Sequence, residues 1–66
     1  MYENIMNRII ELDKEKILRI EGYAILKREF PEINIDNALK YLSKESKIYF
    51  SKPGNYSPII KINEDQ

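Results

Sequence analysis

The side chains able to do chemistry in this chain are carboxylates, lysines, tyrosines and amides, because it contains no His and no Cys. Imidazole and thiolate metal sites and Ser-His-Asp or Cys-His nucleophiles cannot be assembled from that set. Catalysis would fall to carboxylates, Lys or Tyr alone, in a 66-residue chain too short for a deep cleft. The expected role is therefore binding, with no enzyme activity, metal or cofactor. The binding candidates gather in the second half. Asn37, Lys40 and Lys44 recur at helical spacing, with Tyr41 beside them and Lys47 just beyond. Lys52 and Asn55 bracket Pro53-Gly54, and Tyr56 follows. Asn suits the adenine edge, Lys suits guanine edges or phosphates, and a tyrosine hydroxyl bonds phosphate or its ring stacks. No Arg follows Arg28, so the best bidentate guanine reader is missing from this set.

Charge is distributed in the same sense. The chain has 11 basic and 11 acidic residues and sums to zero. Residues 1–36 sum to −2, residues 37–63 to +4, and the terminal Glu64-Asp65-Gln66 to −2. Zero net charge argues against a polycation that coats nucleic acid by bulk charge, whereas the asymmetry points to one basic face. Zero Cys fits a reducing, cytoplasmic compartment better than a secreted one. No apolar run approaches the ~18 residues of a membrane span, and no signal-peptide pattern opens the chain. Asn55-Tyr56-Ser57 matches a glycosylation sequon, but Pro58 follows it and no secretory signal accompanies it.

The elements that must position these residues are legible from periodicity. Tyr2, Ile5, Met6, Ile9, Ile10 and Leu12 fall within an arc of about 160° at 100° per residue, which predicts a first helix. So wide a stripe exceeds what one packed face needs. Its edge, Tyr2, Met6 and Ile10, is the candidate dimerisation surface. Ile17-Leu18-Arg19-Ile20 reads as a short strand, followed by a helix from Gly22 to Phe30 that Pro31 terminates. The competing reading is one helix from Ile17 to Phe30, with Gly22 inside it at a cost of ~1 kcal/mol. A third helix begins with Asn34 or Asp36 as its cap and buries Ala38, Leu39 and Leu42, with Ile35 just ahead of them. It ends near Ser46. The period then switches to two, giving strands at Ile48–Ser51 and Ile59–Ile62. Between them Lys52-Pro53-Gly54-Asn55 predicts a type II turn with Gly54 at positive φ. One domain over residues 1–62 and an acidic tail at 63–66 follow.

The order helix, short strand, helix, helix, hairpin resembles the winged helix-turn-helix superfamily. The likeness is carried by Ala38-Leu39-Lys40-Tyr41-Leu42-Ser43-Lys44-Glu45-Ser46-Lys47-Ile48, which is similar to a recognition helix running into the first wing strand, with Ile20, Leu26 and Phe30 at the core-anchor positions. It implies an α+β fold of three helices, a short strand and a C-terminal hairpin wing. It also implies double-stranded DNA as partner, read by the third helix in the major groove with the wing on the flanking backbone. The expected function is that of a small regulator of transcription or of a mobile element, acting as a homodimer. The superfamily also contains protein-binding modules, so an acidic or apolar protein partner is the alternative. Ser46 departs from the pattern: relatives often place Gly there, where the chain turns through left-handed space.

Overall fold

The first helix, α1 (Glu3–Lys14), forms where Ile5, Ile9 and Leu12 repeat at i, i+4 and i+7, and all three are wholly buried. It ends without glycine. Lys16 takes a left-handed φ of 64°, while the Ile17 and Lys16 amides donate to the carbonyls of Leu12 (3.1 Å) and Asp13 (3.0 Å). This is a Schellman motif, and it satisfies two carbonyls that the helix end would otherwise leave free. The computed structural model describes residues 1–63; the tail from Glu64 to Gln66 lies outside the described residues.

The second helix, α2 (Leu18–Glu29), overturns the expected short strand. Ile17 to Ile20 are its cap and first turn, and the Ile17 carbonyl accepts from the amides of Ile20 and Glu21. A strand would have put Leu18 and Ile20 on one face; the helix sets them ~200° apart. Leu18 is 2% exposed and Ile20 76%. Ile20 is thus no core anchor, whereas Leu26 is buried and Phe30 packs against the core at its edge. No strand stands ready to pair with this segment among the described residues, because the hairpin strands pair only with each other. Gly22 is buried inside α2, where a Cβ would lie 2.8 Å from Leu18 Cδ1 and 3.9 Å from Ile60 Cδ1. Its missing side chain leaves room for the buried Leu18 side chain one turn earlier, while Ile60 of the hairpin stands at ordinary contact distance, which accounts for a residue that costs helix stability.

Phe30 to Ile33 form the turn into α3 (Ile35–Lys44), with Pro31 just after the α2 cap. Asn34, not Asp36, is the N-cap: its Oδ1 accepts from the Asn37 amide at 3.0 Å. Ile35, Ala38, Leu39 and Leu42 are buried. The helix closes as α1 does. Ser46 has a φ of 64°, and the Lys47 and Ser46 amides donate to Leu42 and Ser43 carbonyls, each at 3.0 Å. The left-handed turn is kept without Gly at a position where a side chain costs roughly 1–2 kcal/mol.

The antiparallel strands β1 (Ile48–Ser51) and β2 (Ile59–Ile62) match the expected boundaries. Their register pairs Ile48 with Ile62 and Phe50 with Ile60, one face of the ribbon, and this face closes the core over α1, α2 and α3. Asn63 ties the end of β2 to the start of β1: its amide Nδ2 donates to the carbonyls of Ser46 and Ile48. The turn differs from expectation. Neither glycine has positive φ, so Gly54 does not make a type II turn. The tight turn lies one residue later, with the Tyr56 amide donating to the Pro53 carbonyl. The fold is thus α+β, three helices followed by a two-stranded hairpin. No helix among the described residues is long and apolar enough to cross a membrane.

Candidate nucleic-acid interface

The buried face of α3 dictates what its other face presents. With Ile35, Ala38, Leu39 and Leu42 turned inward, Asn37, Lys40 and Lys44 stand exposed at i, i+3 and i+7. None of the three side chains lies in an ion pair among the described residues. Lys40 and Lys44, with Ser43, flank a shallow depression completed by Phe50 of β1. This places the cation-bearing face of α3 directly beside the hairpin.

The other expected residues divide. Tyr41 is half-buried and meets the Tyr2 ring edge-on, centroids 5.5 Å apart, so its ring is largely committed to the contact with α1. Lys47 is exposed but lies in a different depression, shared with Glu3, Met6 and Glu45, away from the Lys40–Lys44 row. Asn55 and Tyr56 are exposed at the hairpin tip, Tyr56 at 78%. Of the candidate dimerisation residues, Tyr2 and Met6 are packed against the core, and Ile10 is 37% exposed.

Lys52 has a partner that sequence reasoning missed. Its Nζ donates to Asp36 Oδ2 at 2.7 Å, while the Tyr23 hydroxyl donates to Asp36 Oδ1. The same Nζ sits 5.5 Å from the centroid of the Tyr23 ring, and Lys27 approaches that ring at 5.4 Å. Tyr23 in turn stacks on Phe50, centroids 6.4 Å apart. One cluster therefore links α2, the first turn of α3 and the hairpin. The Lys52 ammonium, and then the Tyr23 hydroxyl, hold the Asp36 carboxyl below its usual range; Asp36 holds Lys52 above its own. From the sequence, Asp36 stands only as an alternative N-cap to Asn34.

The α1–α2 side carries its own pairing. Arg8 donates from Nε and Nη2 to both oxygens of Glu29, at 2.7 and 2.9 Å, and from Nη1 to Glu11 at 3.1 Å. This forked geometry raises the Arg8 pKa and lowers that of Glu29, each chiefly through the hydrogen bond to the other. The cation is thereby engaged within the fold. Comparisons with protein-family models, with curated proteins and with solved structures return no match to this chain.

Proposed function

We propose that this chain is a small winged-helix protein that binds double-stranded DNA, with α3 in the major groove and the hairpin against the flanking backbone. The observation that carries this reading is the row Asn37, Lys40, Lys44: exposed, without ionic partners among the described residues, and set on a helix whose opposite face is buried. An α-helix fits the major groove, and side chains at this spacing reach successive base edges. Asn37 is suited to adenine, Lys40 and Lys44 to guanine edges or phosphates. Asn55 and Tyr56 at the hairpin tip are suited to backbone contacts. The role is that of a cytoplasmic regulator of transcription or of a mobile element. With two lysines on the exposed row of α3 that lie in no ion pair among the described residues, and no Arg in it, one copy makes few phosphate contacts. Two copies double them and set half-sites about 34 Å apart.

The test is a titration of the protein with duplex DNA, followed by backbone amide NMR at low and moderate salt. Shifts are expected at Asn37, Lys40, Lys44 and Asn55, with affinity falling against log[salt] at about −0.9 per phosphate neutralised. Absence of shifts at ~50 mM salt refutes the reading. Sedimentation with and without DNA checks the dimer, which a monomer in both conditions would exclude.

A further inference from the structure

The Asp36–Lys52 pair stands where the proposed interface would need a free cation. Lys52 leaves the end of β1 and is the hairpin lysine closest in sequence to the tip; Lys61, in β2, lies over the Tyr49 ring on the other face of the ribbon. Asp36 is in the first turn of α3, beside the cap, at the end of the helix that carries partial positive charge. Its two oxygens are each occupied, one by the hairpin and one by α2. Both side chains reach solvent, Asp36 at 33% and Lys52 at 51% exposure.

Resting on the DNA reading above, we infer that Asp36 is a specificity-determining residue that acts by restraint: it holds Lys52 and so withholds one cation from the phosphate backbone. Phosphate contacts supply nearly all sequence-independent affinity. A carboxylate that occupies the hairpin cation lowers affinity for arbitrary duplex, and leaves Asn37, Lys40 and Lys44 to carry the difference between sites. A phosphate that recruits Lys52 must share its ammonium with Asp36 or displace it, and in either case that carboxylate faces the anionic backbone at the mouth of the groove. The Tyr23 hydroxyl keeps Asp36 aimed at Lys52, so the restraint is built into the fold.

The experiment measures binding of a mixed-sequence 20-base-pair duplex by fluorescence anisotropy, over a salt series from ~50 to ~200 mM. The proteins are the native chain, Asp36→Asn, Lys52→Met, the double variant and, as a reference, Lys40→Met. One extra phosphate contact at ~50 mM salt is worth on the order of tenfold in affinity, so Asp36→Asn is expected to bind that much tighter, with a salt slope steeper by about 0.9. Lys52→Met is expected to leave the native affinity within about twofold, since a withheld cation contributes no counterion release. In the double variant the gain is expected to vanish. If the native chain binds and Asp36→Asn binds no tighter, the inference falls and the DNA reading survives. A Lys52→Met loss as large as that of Lys40→Met also overturns it. If neither the native chain nor Asp36→Asn binds duplex, the DNA reading fails and this inference with it. The amide spectrum of Asp36→Asn checks its fold; should it be unfolded, the Lys52→Met arm still decides.

Discussion

α2 and α3 are neighbours of similar length that divide their surfaces in different ways. In α3 the inner residues are aliphatic and the outer row is polar and cationic, so packing and exposure follow the helical period. In α2 an isoleucine, Ile20, faces solvent while a glycine, Gly22, is buried. The difference arises from what each helix packs against. α3 lies on β1 with a full aliphatic face, whereas α2 packs on both α1 and β2, and Gly22 leaves room there for the Leu18 side chain. A helix packed through one regular stripe leaves its other face free for recognition. A helix packed on two sides spends its sequence on fit.

The strongest way to break this contrast is to strike the inner face of α3. Leu39 is fully buried, and Leu39→Ala is expected to cost about 2–5 kcal/mol, a large share of the stability of so small a domain. Denaturant unfolding measures it. A cost well under 1 kcal/mol would show that the regular face does not anchor the fold. The next largest effect is expected on the outer face of the same helix. Lys40→Met with Lys44→Met is expected to change stability by no more than about 0.5 kcal/mol, as surface substitutions do. The pair is expected to lower duplex affinity roughly a hundredfold at ~50 mM salt, two phosphate contacts at about tenfold each. Loss of stability in place of affinity would mean that the two faces of α3 are not separate.

In α2 the corresponding test is Gly22→Val. The added atoms meet the buried Leu18 side chain, so overpacking is expected to cost about 1–3 kcal/mol. A neutral result would mean that the Leu18 side chain can turn away, and that the glycine is not needed for the packing of α2.

The contrast between these helices also explains what could be read beforehand. Residues such as Leu39 and Lys40 report their faces through the period of α3, and the alternation of Ile48, Phe50 and Ile60 reports the hairpin. Ile17–Ile20 is ambiguous because three aliphatic residues in four suit a strand or a buried helical turn equally. The deciding factor, a left-handed Lys16 that delivers Ile17 to the Leu12 carbonyl, is not a feature of composition. The turn failed for a related reason: Pro53-Gly54 permits positive φ at Gly54 without requiring it. Of the candidate interface, the row on α3 was legible, but the pairing of Asp36 with Lys52 was not. Those residues are 16 apart, and the hairpin, not any local pattern, brings them together.

That pair offers a smaller test, on the one point where the outer side of α3 touches the hairpin. Asp36 titrates below its ordinary 3.8 in the native state because Lys52 and Tyr23 bond its charged form. Its contribution to stability is therefore fully present above the unfolded value and is lost as pH falls through the lowered native value. Asp36→Asn is expected to lower stability modestly at neutral pH, where the charged pair contributes, to match the native chain below the lowered native value, and so to flatten the acid limb between the two values. The pair is partly exposed, so the effect is expected to fade as salt screens it. An acid limb that is identical in the variant would mean that the pair does not hold α3 to the hairpin in solution.

The smallest expected effect belongs to Ile20. In a strand on the core, replacing it with a polar residue would cost several kcal/mol, as truncating a buried aliphatic side chain does. On the outer side of α2, at 76% exposure, Ile20→Gln is expected to change stability by no more than about 0.5 kcal/mol. Denaturant midpoints of the two proteins decide it, and an unchanged slope shows that the same surface is exposed on unfolding. A large loss would restore Ile20 to the core and remove the asymmetry between the helices at its source. A negligible one would leave α2 with an apolar residue facing water that contributes nothing to the fold, while every aliphatic residue on α3 is buried within it.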